Sequence, residues 1–203
     1  MELKPYQQEA IQFALARPNT LVADEMGLGK TISAIGVFNA LPAAVPTMIV
    51  VCPANLVLNW VKETEKWLTK FAFVAPILAG MKPVHLAENI WVISYDLLRK
   101  WRKEIQNNTW DLIVYDESHY LKNPQALRTK EALQIMAKKT LRLTGTPILS
   151  RPLDLYTTLK ACDPSAPSWW DYVHRYCGAH HKIIYTKKGQ KKVLDCTGSS
   201  HLD

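Results

Sequence analysis

The sequence has no apolar run of 18 residues and no secretory h-region near its start. The first absence argues against a membrane-spanning helix, and the second against a cleaved export signal. Its four cysteines, Cys52, Cys162, Cys177 and Cys196, include no C-x-x-C pair and no metal-knuckle spacing, which argues against a redox dithiol or a zinc site. Cys52 lies in an apolar run and reads as a small core residue. Cys177 and Cys196 could approach each other across a hairpin. Isolated thiols fit a reducing compartment. A soluble intracellular protein is therefore expected, in the cytoplasm or nucleoid of a prokaryotic or phage source, or in the nucleus of a eukaryotic one. Internal repeats and low-complexity linkers are also lacking.

What is present suits one long domain or two short ones: 203 residues, 48% hydrophobic and 21% charged, enough to bury a core. The net charge of +7 hints at a polyanionic partner. Five stretches read as strands: "NTLVAD", "TMIVVC", "NIWVIS", "WDLIVYDE" and "TLRLTGT". They are apolar throughout instead of alternating. Helical patterns separate or flank them at residues 5–17, 29–41, 55–68, 95–105, 125–139 and 151–162. Such a chain predicts an α/β fold, a parallel sheet covered on both faces. Beyond residue 162 the composition turns to proline, aromatics and lysine. "HHKIIYT" and "KKVLDC" predict a β-hairpin with Gly189 in its turn, and Ser199 or Ser200 resembles a helix start.

Parallel sheets bind ligands beyond the carboxyl ends of their strands, and three motifs fall there. In "DEMGLGKT", Gly27 and Gly29 let the backbone curl around a phosphate at a helix N-terminus. Lys30 can reach the β- and γ-phosphates and the Thr31 hydroxyl can bind Mg²⁺. Asp24 stands where the usual first glycine of a phosphate loop would be. "YDESH" ends an apolar strand with adjacent carboxylates: Asp116 can hold Mg²⁺ and Glu117 can orient or deprotonate a water. "LTGTPI" follows a third strand, where Pro147 forbids simple continuation. Its Thr144, Gly145 and Thr146 are candidate sensors. Near the start, the Gln7 amide could read an adenine edge.

Taken in order, "KPYQ", "DEMGLGKT", "VVCPANLVLNW", "VISYDLL", "DESH" and "LTGTPI" resemble the Snf2-like branch of superfamily 2 helicases and translocases. In that branch Asp24 is the family form, and Ser118 departs from the usual D-E-A-H. "TGTPILSRPLDLYTTL", "HRYCGA" and the late "GSS" are similar to the annealing-helicase (HARP-like) subgroup. The resemblance implies a three-layer RecA-like P-loop domain using ATP and Mg²⁺ to move on double-stranded or branched DNA. It implies nucleotide contacts from Gln7 and from Asp24, Glu25, Met26, Gly27, Leu28, Gly29, Lys30 and Thr31, with Thr31 and Asp116 on the metal. Lys30, Asp116 and Glu117 would be catalytic. His119 and Thr144 to Thr146 would couple nucleotide to DNA. DNA would cross Pro53, Asn55, Ser94 and Tyr95, with Lys182, Lys187, Lys188, Lys191 and Lys192 as a further phosphate patch. Residues 1–162 are expected to be the first RecA-like lobe and 163–203 an extension cut before a second lobe. The family's second lobe supplies arginines to the phosphate, so little turnover is expected from the chain alone. A non-catalytic module binding DNA or protein, and a D-E-x-H RNA helicase, are the alternatives.

Overall fold

Strands made of Val, Ile and Leu on both sides need cover on both faces, and helices supply it. The protein is described by a computed structural model covering residues 2–84, 86–146, 152–186 and 189–199. Helix α1 (Pro5–Leu15) leads into β1 (Asn19–Val22), α2 (Lys30–Ala40), β2 (Met48–Cys52), α3 (Val57–Trp67), β3 (Val74–Ile77) and β4 (Ile90–Ser94). Then come α4 (Leu98–Gln106), β5 (Trp110–Tyr115), α5 (Leu127–Ala132) and β6 (Ala137–Leu143). These strands form one six-stranded sheet in the order β1-β6-β5-β2-β4-β3. Every pairing in it is parallel.

Successive residues of each strand serve opposite cores, as the period of two requires. On β2, Met48, Val50 and Cys52 pack with Ile35 and Phe38 of α2 and Trp60 of α3. Ile49 and Val51 face the other way, towards Leu98, Trp101 and Ile105 of α4 and Ala132 of α5. The result is the expected helix–sheet–helix sandwich. Because all six strands run one way, every strand-to-helix loop emerges along the same edge.

Two stretches differ from the sequence expectation. Strand β3 adds an edge to the sheet across a segment containing Pro76, a residue tolerated where one side of the ladder is free. The helix expected over 125–139 stops at Ala132, and residues 137–139 open β6 instead. Tertiary contacts override helix propensity there. Lys138 Nζ sits 2.7 Å from Asp111 Oδ1, and Lys139 Nζ donates to the carbonyls of Leu15 and Arg17 at 2.6 and 2.9 Å.

Further along lie α6 (Leu153–Cys162), α7 (Trp169–Tyr176) and the antiparallel pair β7 (His180–Thr186) and β8 (Gly189–Asp195). The two strands of the hairpin lie where the sequence predicts them, but Gly189, expected in the turn, opens β8 opposite Thr186. Ser168 starts α7 by accepting a hydrogen bond from Asp171 N at 3.2 Å. Tyr172, Val173, Cys177 and Cys196 form a small core with Leu153, Tyr156 and Leu159 of α6. Cys177 and Cys196 share it as free thiols. The same α6 is tied to the turn that follows β5, Thr157 Oγ1 donating to Lys122 O at 2.8 Å. Pro147, Lys187, Lys188 and the segment from Ser200 lie outside the described residues. Among those described, no helix is long and apolar enough to cross a membrane.

Candidate functional site

The register of the sheet brings the three motifs together. β6 lies between β1 and β5, so the loops after all three strands are neighbours. The loop after β1 turns twice through left-handed glycines, Gly27 at φ +83° and Gly29 at φ +77°. Gly29 caps α2 without any side-chain acceptor for the first-turn N–H groups. Those donors and the positive helix end form a cradle suited to an anion. Lys30 Nζ donates to the carbonyls of Asp24 at 2.7 Å and Glu25 at 2.9 Å. An ammonium carries three protons, so one more is available to a phosphate.

Beside this loop lies a cleft of about 410 Å³, lined by Met26, Gly27, Gly29, Lys30, Thr31, Trp60, Asp116 and Glu117 among others. Asp116 directly follows β5 and is only 9% exposed. Its Oδ2 accepts from Trp60 Nε1 at 2.7 Å and its Oδ1 from Glu117 N at 3.0 Å. Burial raises the Asp116 carboxyl above its ordinary pKa, against the lowering effect of Trp60, the Glu117 amide, Lys30 and His119. The same carboxylate and, above all, burial push the Cys52 thiol up to about 12. Glu117 is the one non-glycine residue with positive φ among those described, at φ 48°. Such a conformation costs on the order of 1–3 kcal/mol and is kept where surrounding structure demands it.

The third motif closes on both of the others. His119 Nδ1 lies 3.2 Å from Glu117 Oε2 and 3.3 Å from Thr144 Oγ1. Thr144 Oγ1 in turn accepts from Thr146 N at 3.1 Å. A Cβ on Gly145 would stand 2.8 Å from Met26 Cγ and 3.6 Å from Lys30 Nζ. Gly145 thus lets the end of β6 press against the phosphate loop.

The donor set fits Mg²⁺ held together with nucleotide phosphates. Asp116 uses two of roughly four carboxylate lone-pair sites, and Thr31 adds a hard hydroxyl oxygen on the same cleft. Among the described residues no cluster of three His, Cys, Asp or Glu could hold a metal alone. Mg²⁺ commonly binds through one or two carboxylates plus substrate phosphates.

Other expected site residues lie elsewhere. Gln7 is 4% exposed and does not line the cleft. Its Nε2 donates to Leu28 O at 3.2 Å and its Oε1 accepts from Lys4 N at 3.0 Å, while Tyr6 OH also donates to Leu28 O. Ser94 and Tyr95, expected on a DNA-facing surface, are buried at 4% and 3%. Tyr95 OH instead donates to Asp116 O at 2.8 Å. Pro53 is half-buried and Asn55 exposed at the end of β2, and Lys191 and Lys192 are exposed on β8. Lys182 pairs with Asp195. The clamp from Trp60 was not read from the sequence, although a buried indole N–H needs an acceptor.

The chain matches the SNF2-related domain family over residues 6–193. It is 36% identical over 213 residues to the human DNA annealing helicase and endonuclease ZRANB3, covering 100% of this chain and 19% of that protein. It is 38% identical over 207 residues to the Xenopus tropicalis SWI/SNF-related matrix-associated actin-dependent regulator of chromatin subfamily A-like protein 1, covering 99% and 21%. Its fold is similar to that of the Sulfolobus solfataricus SWI2/SNF2 ATPase core in complex with dsDNA. That match has a TM-score of 0.75 and 27% identity, and covers 87% of this chain and 39% of that one. The chain therefore spans about a fifth of the length of the curated relatives it matches.

Two predictions follow from the geometry. Gly27→Ala meets only backbone strain, whereas a Cβ at Gly29 would also stand 2.6 Å from Gln7 Nε2. Gly29→Ala is expected to lower unfolding free energy by about 1–3 kcal/mol, and by more than Gly27→Ala, in parallel urea titrations. For Asp116, a raised folded-state pKa means its contribution to stability is fullest at low pH. That contribution is lost as pH rises through the raised value. The stability of wild type relative to Asp116→Asn should therefore improve as pH falls from about 7 towards about 4, read by thermal unfolding. A pH-independent difference would contradict a raised pKa for this carboxyl.

Proposed function

The chain belongs to the SNF2-related family, and from that premise we propose that its strand-end cleft binds Mg²⁺-ATP for hydrolysis coupled to movement on DNA. The observation that carries the reading is the convergence on one cleft of Lys30, Thr31, Asp116 and Glu117. In this reading Gly27, Gly29 and the α2 N-terminus hold the phosphates through backbone N–H groups, and Lys30 turns its ammonium to the terminal ones. Thr31 and Asp116 hold the metal, which when bound neutralises charge on the phosphates. Glu117 orients the attacking water and takes its proton. His119, between Glu117 and Thr144, passes changes at the phosphates to the end of β6. Gln7 fixes the shape of the loop through Leu28.

The cleft offers Lys30 as its only cationic side chain among the residues that line it. In the proposed enzyme a second RecA-like lobe brings arginines to the transferring phosphate. Arginine fingers are worth roughly 10³–10⁵ in rate. Residues 1–162 act here as the first lobe, and 163–203 as an extension, of which Tyr172, Val173, Cys177 and Cys196 pack on α6. The proposed track is double-stranded or branched DNA, as the dsDNA complex of the structural relative supports. The names of the annealing-helicase relatives favour rewinding or remodelling over strand separation.

Calorimetry and turnover assays test this directly. The chain should bind Mg²⁺-ATP, with Lys30→Ala weakening binding at least about tenfold, near 1.4 kcal/mol. Glu117→Gln should keep binding. Turnover should be slow alone and rise when a second RecA-like lobe and duplex DNA are added, except in Glu117→Gln. Tight DNA binding indifferent to nucleotide would instead favour a non-catalytic module, and stimulation by RNA over DNA an RNA helicase.

A further inference from the structure

A second cleft, of about 270 Å³, opens on the same strand-end edge between α4 and α5. Tyr95, Asp96, Arg99, Leu127, Arg128 and Glu131 line it. Glu131 is already matched: Arg102 Nε donates to its Oε2 at 2.7 Å and Arg102 Nη2 to its Oε1. Arg99 and Arg128 form no ion pair with a carboxylate among the described residues. The rim therefore presents two unmatched guanidinium groups against one exposed acid, Asp96.

Arg128 is held in place. Its guanidinium carbon lies 5.4 Å from the centre of the Tyr120 ring. Tyr120 stacks on Tyr95 with centroids 5.6 Å apart and planes 6° from parallel. Tyr95 is fixed by its hydrogen bond to Asp116 O. A guanidinium resting on a ring keeps its N–H edges available for a planar or tetrahedral oxyanion. Being preorganised, it loses less side-chain entropy on binding.

We propose that Arg99 and Arg128 bind a backbone phosphate of duplex DNA in the cleft between α4 and α5. This rests on the reading that DNA crosses the strand-end edge. The position agrees with it, because Ser94 at the end of β4 is in register with Cys52 at the end of β2. Asp96 and Arg99 follow the one strand as Asn55 follows the other. The bound phosphate would sit one stacked tyrosine pair away from the backbone of Asp116. Its contact reads no base, so it serves any sequence alike.

The test is a salt series of duplex binding by fluorescence anisotropy, using this chain and labelled duplexes of two unrelated sequences. Arg99→Gln/Arg128→Gln is compared with wild type and with Arg99→Lys/Arg128→Lys. Neutralising one phosphate contributes about 0.9 to the slope of log K against log salt. The Gln pair should flatten the slope by about one and weaken both duplexes equally. The Lys pair should keep the slope, which also shows that the substituted cleft still folds. Duplex binding with an unchanged slope in the Gln pair overturns this site alone, as does an equal loss in the Lys pair. Wild type with no salt-dependent duplex binding overturns the site together with the DNA-tracking reading.

Discussion

A carboxylate buried at the end of a parallel strand is costly unless donors meet it. Asp116 meets two, an indole N–H from α3 and the amide of its own successor. Those bonds leave acceptor capacity on an oxygen pair facing the phosphate loop. They also leave the group underpaired enough that burial still raises its pKa. Such a carboxylate is more stable with a cation than without one. Much of the surrounding structure can be understood as holding it there: Trp60 from one core, the Tyr95 hydroxyl on its carbonyl, and the left-handed Glu117 that follows.

The parallel sheet makes this arrangement possible. With every strand pointing one way, the loops after β1, β6 and β5 are neighbours by topology. Their contacts then form one connected set. Lys30 bonds its own loop, Gly145 lies against Met26 and Lys30, and His119 lies between Glu117 and Thr144. A shift at any of these is felt by the others, because the close approach at Gly145 leaves no room for even a methyl group without movement of Met26.

Five of the six strands could be read from their apolar runs, and with them the layer order and the edge that carries the motifs. Strand β3 was hidden because Pro76 interrupts its pattern and only an edge position tolerates that. The start of β6 was hidden because Ala137, Lys138 and Lys139 favour a helix. Their lysines are instead drawn into place by Asp111 and by the carbonyls at the end of α1. Helix α7 had a legible signal in Ser168 followed three residues later by Asp171. At the site, the residues bearing phosphate-loop and acidic chemistry were legible because that chemistry needs them at fixed spacing. Trp60 and Tyr95 were not, since they reach Asp116 only through tertiary contacts, from 56 and 21 residues away in sequence. Burial likewise separates Ser94 and Tyr95 from the surface that their place at the end of β4 suggests.

Hydrogen exchange on adding Mg²⁺-ATP tests the central claim most directly, that three separate strand ends make one nucleotide site. Amides of residues 24–31, 116–119 and 144–146 should slow together, and those of β7 and β8 should be unaffected. Slowing confined to residues 24–31, or absent from all three, would contradict the account.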